Sequence, residues 1–271
     1  MTFMIETVEG YPLELKEIGI FPLKLEMNSP SPRIETEEIQ GRDGQIHLGT
    51  TYSARSMRAQ FYIESRDSVN FNWLRSEVFR LFDSKRTFHI RDKGNSKIRW
   101  EVRTAASYSI ERLSRTVGTF VVDLISDYPY GESAGSTLNP FTLDSEYWQI
   151  GQGLPMEDLQ YVHSTNSFNI FNAGDVEVDP VIVPLKIEFK GESENLKILN
   201  RTTNEEWQYN GSSSPNDVLT LDGIRSLKNG VSVFKDTNKK LLSIAKGLNS
   251  FEVEGAIGNF IISFDFRFYY I

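Results

Sequence analysis

Apolar and polar side chains alternate along several stretches of the first half of the chain, which is the pattern of a β-strand with one buried face. In the clearest case Phe120, Val122 and Leu124 occupy one face of the strand. The same alternation predicts strands at 57–64 and 97–103. The first half of the chain is therefore expected to be rich in β-structure.

One segment between these strands has the spacing of a helix instead. Five apolar residues form an amphipathic stripe there: Phe71, Leu74, Val78, Leu81 and Phe82. This stripe predicts a helix at about Ser68–Phe82, with Asp67 or Ser68 as the N-cap. Because one helix cannot supply the crossovers of a parallel sheet, we expect mainly antiparallel sheets.

The strand that contains Phe120 is followed by Asp127-Tyr128-Pro129-Tyr130-Gly131. Pro129 cannot donate to a β-ladder, and Gly131 frees the backbone to turn. A strand closed in this way near the middle of the chain predicts a domain boundary, with domains at 1–131 and 132–271. We expect both domains to be β-sandwich-like.

The second half predicts short strands between turns, at 218–221, 231–234 and 241–244. Its C-terminal run places five apolar side chains on one face, namely Phe260, Ile262, Phe264, Phe266 and Phe268. Several strands at this spacing are typical of a sandwich or jelly roll.

Three carboxylates of the second half, Asp175, Glu177 and Asp179, also alternate. The alternation predicts that they share one side of a strand. Calcium prefers such oxygen ligands, but no glycine-containing loop supplies the others. We interpret the three as solvated charges.

Composition narrows the function classes. The 271 residues carry a net charge of −8, which argues against a surface that grips nucleic acid. The absence of cysteine excludes disulfides, thiol nucleophiles and cysteine-based metal sites. The first residues lack the pattern of a signal peptide, and no apolar run has the length of a membrane span.

A search for catalytic chemistry gives no site. His47, His89 and His163 stand alone in the sequence, and no nucleophile elbow or phosphate-binding glycine loop occurs. We therefore predict no catalytic residue, no metal and no cofactor. Pairs of acids for glycoside hydrolysis need only meet in space, so a cell-wall hydrolase stays an alternative.

Four aromatic residues of the second half allow two interpretations. Trp148, Tyr161, Trp207 and Tyr209 would form a sugar-stacking platform if they were exposed on one surface. Buried or rim positions in a sandwich explain them equally well. The first interpretation predicts contact with a glycan or a partner protein.

Gly41-Arg42-Asp43-Gly44 predicts a tight turn, because glycine adopts the positive φ angles that such turns require. Glu35–Gln40 and Gln45–Leu48 are the expected hairpin arms. One interpretation is a turn with no further role. The other is an interface turn, in which Arg42 meets an acidic neighbour across a subunit boundary.

These features together resemble the distal tail protein family of long-tailed bacteriophages. The resemblance rests on their order in the first half: the Gly41–Gly44 turn, the strand Ser56–Glu64, the helix, the Trp100 strand and the Asp127–Gly131 ending. In the second half it rests on Asn172-Ala-Gly174 before Pro180, the turn Asn200–Asn204, and Gly247-Leu-Asn-Ser-Phe251.

The resemblance implies a structural, non-enzymatic protein of the virion tail tip. Residues 1–131 would form a hexameric ring that connects the major tail tube protein to a spike or fibre protein. Residues 132–271 would form a galectin-like or carbohydrate-binding-module-like sandwich that points outward and docks receptor-binding proteins. DNA would pass through the acidic ring without specific binding. A carbohydrate-binding module that recognises host cell-wall glycans through the second domain stays the first alternative, and a cell-wall hydrolase is the second.

Overall fold

In the computed structural model, residues 2–142, 147–155 and 159–271 are described. Contacts between Cα atoms divide the chain into two compact units, Met1–Gly131 with Ile271, and Glu132–Tyr270. The described residues are mostly in strands and contain a single α-helix, which confirms the predicted fold class. The predicted linker segment at 132–167 includes 143–146 and 156–158, which lie outside the described residues.

The first unit contains nine strands and the helix among its described residues. They are β1 (Phe3–Glu6), β2 (Ile20–Met27), β3 (Pro32–Glu37), β4 (Ile46–Tyr52), β5 (Arg55–Glu64), α1 (Ser68–Leu81), β6 (Phe88–Asp92), β7 (Ile98–Thr104), β8 (Ile110–Arg112) and β9 (Val117–Ser126). A tenth strand, β10 (Gly131–Ser133), begins at the last residue of this unit.

The main sheet of the first unit has the strand order β1-β6-β7-β9-β5-β2, and β8 pairs with β9. Neighbouring strands are antiparallel, as predicted. β2 is an edge strand and contains Pro22, a residue that a central strand would not tolerate. β3 and β4 form a separate two-stranded sheet.

An aromatic cluster forms the core of the first unit. Phe61 of β5 lies 4.9 Å from Phe82, 4.9 Å from Phe120 and 5.3 Å from Phe3, measured between ring centroids. These four rings come from β1, β5, β9 and the C-cap of α1. The cluster therefore fixes the helix against the sheet.

The second unit contains β11 (Val162–His163), β12 (Ser167–Asn172), β13 (Leu185–Asn200), β14 (Glu205–Gln208), β15 (Ser212–Ser213), β16 (Val218–Asp222), β17 (Arg225–Lys228), β18 (Val231–Ser232), β19 (Gly247–Phe266) and β20 (Tyr269–Tyr270). The order in its sheet is β11-β19-β13-β16-β17-β18, with β12 on β19 and β14 and β15 on β13.

The long strands β13 and β19 form the centre of the second unit. Their pairing shifts register between Gly191 and Glu192 and again between Ser193 and Lys197. Phe264 and Phe266 of β19 are buried, as are Ile262, Phe260 and Phe268, so the predicted apolar face is present.

Three local predictions in the second half are wrong. The carboxylate segment at 175–179 forms no strand among the described residues; its Val178 makes an isolated bridge to Ile244. The strand predicted at 241–244 is also not formed, because the bridge of Ile244 to Val178 is the only β-pairing described for that segment. At 231–234 the chain forms only the two-residue strand β18 before a short 3-10 helix begins at Phe234.

Candidate assembly surfaces

The β3–β4 hairpin is exposed to solvent over its whole length. Every residue of β3 is exposed, and in β4 only Ile46 and Gly49 are half-buried. Ile34 (57% exposed) and Leu48 (59%) are among its aliphatic side chains. An isolated two-stranded hairpin is marginally stable in water, so this one presents a surface that a partner would stabilise.

The predicted turn lies at the tip of this hairpin. Gly41 and Gly44 have φ angles of 82° and 84°, the left-handed conformation that glycine adopts without strain. Arg42 donates its backbone N–H to the carbonyl of Ile39 at 3.1 Å. The side chains of Arg42 and Asp43 are exposed. Their role at a subunit interface stays a prediction.

Helix α1 begins where the sequence predicts. A carboxylate oxygen of Asp67 accepts hydrogen bonds from the backbone N–H groups of Val69 and Asn70, both at 2.8 Å. These bonds satisfy two of the N–H groups that the first turn of a helix leaves free. Phe71, Leu74 and Val78 are buried under the helix, and all three belong to the predicted stripe.

The outer face of α1 carries an apolar pair that the predicted stripe does not include. Val69 is 77% exposed and Trp73 is 66% exposed. They are four residues apart, so they lie on the same side of the helix. Trp100, Trp148 and Trp207 are buried, which leaves Trp73 as the exposed tryptophan of this chain. The sequence already indicated this exposed pair, because Val69 and Trp73 are apolar residues of the helix that lie outside the core stripe.

The Asp127–Gly131 ending is held by β5 and β7. Arg103 donates two hydrogen bonds to Asp127, at 3.0 and 3.1 Å, and this guanidinium lowers the pKa of the Asp127 carboxyl. Arg55 donates to the carbonyl of Pro129 at 3.5 Å. A Cβ on Gly131 would lie 2.6 Å from Trp100, so a side chain does not fit there. The motif therefore fixes how the last strand of the first unit ends.

The solvent face of β5 and its neighbours carries charges of both signs. Arg58 of β5 pairs with Asp123 of β9 at 2.9 Å, and the carboxylate raises the pKa of Arg58. Lys24 pairs with Glu26 at 2.6 Å along β2. This face can therefore meet water or another polar surface without burying unpaired charge.

The four predicted aromatic contact residues are buried side chains. Trp148 and Tyr161 lie near each other, because both stack on Phe141, at 4.6 and 5.5 Å between ring centroids. They line a cleft of about 970 Å³ in the second unit. Trp207 (1% exposed) donates its indole N–H to Ser226 at 3.1 Å within the core. Tyr209 (7% exposed) is also a core residue.

These positions have a simple physical reason. An inward-facing ring buries more apolar area than any other side chain, and the sandwich places Trp207 on the buried face of β14. In this structure the four rings form no exposed platform. Contact of Trp148 or Tyr161 with a glycan through the cleft stays a prediction.

The three histidines are apart and have different surroundings. His47 is exposed and hydrogen-bonds the Thr50 hydroxyl at 2.8 Å through Nε2. His89 is buried, and its Nδ1 is 3.2 Å from the carbonyl of Thr7. His163 stacks on Phe168 at 4.3 Å, and burial lowers its pKa.

Among the described residues, no group of three or more histidine, aspartate or glutamate side chains converges as a metal site would require. The same part of the chain contains no helix with the length and apolar character needed to cross a membrane.

Comparison with known proteins places the first unit in a class. Residues 8–126 match the family of the phage tail protein RIFT-related domain. The first unit thus carries a domain of phage tail proteins, and this match supports the resemblance to the distal tail protein family that the sequence features carry. No curated protein matches the sequence.

Solved structures share the fold over nearly the whole chain. The crystal structure of the Dit protein (gp 19.1) of phage SPP1, described as a paradigm of the hub adsorption apparatus of phages that infect Gram-positive hosts, superposes with a TM-score of 0.70 at 11% identity, covering 98% of each chain. A chain of the phage P2 baseplate in its activated conformation with Ca matches with a TM-score of 0.51 at 8% identity, covering 98% of this chain and 97% of that one. At these identities the likeness concerns the fold.

Proposed function

We propose that this chain is the hub of a phage tail tip, where residues 1–131 assemble into a six-fold ring. The ring connects the tail tube to the spike or fibre protein that follows it. The family match at 8–126 carries this proposal, because it lies within the first compact unit. The fold shared with a hub protein and with a baseplate chain supports it.

The surfaces of the first unit fit an assembling protein. Its hairpin buries no side chain of β3, and its helix exposes Trp73. A monomer gains nothing from either feature, because exposed apolar area costs free energy in water. Contacts between two different surfaces of identical chains close into a ring at a suitable rotation angle. The Arg42–Asp43 tip would lie at or near such a contact.

Residues 132–271 act as a peripheral docking module on this ring. The second unit has its own sheet and its own buried core, centred on β13 and β19. Its hairpin tips, such as the turn at 201–204, are polar and suit adaptable contacts. The partners we propose are receptor-binding or fibre proteins, and the cleft beside Trp148 is the place where a host glycan would bind.

The role is structural, without catalysis, metal or cofactor. DNA crosses the ring without specific binding, because the chain carries a net charge of −8 and phosphate is repelled by a surface of the same sign. The protein is made in the host cytoplasm and ends in the virion tail tip.

Deletion of residues 132–271 tests this division of roles. Phage that lack the native gene are supplied with residues 1–131, with the full chain, or with residues 132–271. Residues 1–131 should enter the tails and form rings in electron micrographs, while adsorption to the host falls. Residues 132–271 alone should stay outside the tails. If residues 1–131 fold, as judged by circular dichroism, but never enter tails, the second unit belongs to the ring and the proposal is wrong.

A further inference from the structure

Two turns of the second unit contain the same dipeptide, asparagine followed by glycine. Asn210-Gly211 connects β14 to β15, and Asn229-Gly230 connects β17 to β18. Both asparagines are exposed to solvent. Glycine has no Cβ to shield its backbone nitrogen, so the asparagine amide can react with that nitrogen in an unrestrained chain.

The reaction open to this dipeptide is deamidation. Hydroxide removes the proton of the glycine N–H, and the nitrogen attacks Cγ of the asparagine; this C–N bond forms while the bond from Cγ to Nδ2 breaks. The departing nitrogen takes a proton from water and leaves as ammonia, which regenerates the hydroxide. Water then opens the resulting succinimide ring at either carbonyl and gives aspartate or isoaspartate. Both products carry a carboxylate where the amide was neutral.

The side chain of Asn229 is held at both of its polar atoms. Its Oδ1 accepts a hydrogen bond from the backbone N–H of Val218 at 2.9 Å, and its Nδ2 donates to Oδ1 of Asp217 at 2.7 Å. Asn229 and Gly230 have φ angles of 50° and 80°, the positive values that a two-residue hairpin turn favours. The Asn229 side chain must therefore leave two partners before the nitrogen of Gly230 can reach it.

The side chain of Asn210 is not restrained in this way. The described residues form no hydrogen bond with its Oδ1 or Nδ2, nor with the backbone N–H of Gly211. Only the outer backbone atoms of the dipeptide are held. The N–H of Asn210 donates to the carbonyl of Asp236 at 2.7 Å, and the carbonyl of Gly211 accepts from the N–H of Asn195 at 2.9 Å. The attacking nitrogen and the carbon it attacks thus have no competing partners.

Packing explains why glycine follows Asn210. A Cβ at position 211 would lie 2.6 Å from the ring of Tyr209, which is a buried side chain. Any residue with a side chain would have to displace that ring. The fold therefore retains glycine after Asn210 and, with it, the reactive dipeptide.

We propose that Asn210 is a site of spontaneous deamidation in the folded protein, whereas the hydrogen bonds of Asn229 protect that residue. Residues 210–216 contain no charged side chain, so the product gives this loop its first negative charge. The isoaspartate form also adds one carbon to the main chain just before β15. The modification changes a polar tip of the second unit and does not depend on the ring of the first.

Peptide mapping of the aged full chain tests this assignment. Trypsin separates the two asparagines into the peptides 202–225 and 229–235. The purified chain is incubated in mildly alkaline buffer, digested briefly at slightly acidic pH, and fragmented in a mass spectrometer to locate each conversion of amide to acid. Conversion at Asn210 should exceed conversion at Asn229 by about tenfold or more, because two hydrogen bonds must break at the second site.

Variants and free peptides separate the effect of structure from that of sequence. Asn210→Gln should abolish the conversion at 210, because the longer side chain closes the ring far more slowly. Asp217→Ala removes the acceptor of the Asn229 amide and should raise conversion at 229 several-fold. Synthetic peptides of residues 205–215 and 225–235 lack the fold and should convert at comparable rates.

The outcomes decide the assignment. Equal conversion at the two sites of the folded chain, or faster conversion at Asn229, would overturn it. Absence of conversion at Asn210 while its free peptide converts would also overturn it, because the fold would then protect both sites. Unchanged conversion at Asn229 in the Asp217→Ala chain would overturn the protective role of the hydrogen bonds. A preference for Asn210 that exists in the folded chain and disappears in the free peptides would establish the site.

Discussion

Replacement of Phe61 by alanine should destabilise the first unit and leave the second unit unchanged. Phe61 is fully buried in β5, and its ring contacts Phe3, Phe82 and Phe120. The side chain therefore joins two strands and the end of the helix to β5. Alanine lacks the ring atoms that make these contacts, so the change would leave a cavity. The surrounding rings belong to different elements and can close that cavity only in part.

A Phe→Ala change at a site of this kind costs about 3–5 kcal/mol. Domains are stable by about 5–15 kcal/mol, so the loss is a large fraction of the total. For a unit of 131 residues, each kcal/mol corresponds to about 3–5 °C in Tm. The unfolding temperature of the first unit should therefore fall by about 10–25 °C.

The assay is differential scanning calorimetry of the full chain, with Phe264→Ala as the matched variant. Phe264 is fully buried in β19 and packs on Phe251 at 4.8 Å and Phe168 at 5.7 Å. Each variant should lower one transition and leave the other in place. Phe61→Leu, which keeps most of the volume, should cost much less than Phe61→Ala. If both alanine variants shift a single common transition equally, the two units do not unfold separately, and the reasoning is refuted.

Two further predictions concern single polar groups. Asp67→Ala removes the N-cap of α1 and should lower the free energy of unfolding of the first unit by about 1 kcal/mol in urea unfolding. Asp67→Ser keeps a capping oxygen and should retain most of the stability of the natural chain. Equal stability of all three proteins would contradict the capping role. The pKa of Asp217 is lowered from 3.8 to about 2, chiefly by the hydrogen bond from the backbone of Ser214 and then by Asn229 and Lys228. The pKa of Asp217 is lower in the folded chain than in the unfolded chain. The ionised carboxylate therefore stabilises the folded chain above about pH 4, and this stabilisation is lost as the pH falls toward 2. Asp217→Asn should therefore be less stable than the natural chain at pH 7 and equal to it near pH 2; a difference that persists at pH 2 would show that the charge is not its cause.

The elements that sequence patterns predicted are those with one clearly buried face. β5 and α1 each repeat their apolar positions at a single period, and each was found within one or two residues of its predicted bounds. β9 buries the predicted face of Phe120, Val122 and Leu124. Asp67 was recognisable as an N-cap because a side-chain hydrogen-bond acceptor directly before a helix commonly caps its first turn. The resemblance to distal tail proteins followed from the order of these elements, and the match at 8–126 supports it.

Other features were hidden because they depend on contacts distant in sequence. β19 is 20 residues long and is interrupted by register shifts near Gly255, where a Cβ would lie 2.5 Å from the carbonyl oxygen of Glu194. Such a bulge breaks the alternation that identifies a strand. The burial of Trp207 and the exposure of Trp73 are likewise set by which neighbours the fold supplies, and the residue type alone does not distinguish them.

Electron cryomicroscopy of purified virion tails tests the central claim most directly. The first unit should fit, in six copies, into a ring at the junction of the tail tube and the tip. The second unit should project from the outside of that ring. A tail whose junction contains no ring of this fold, with this protein located elsewhere in the virion, would contradict the account.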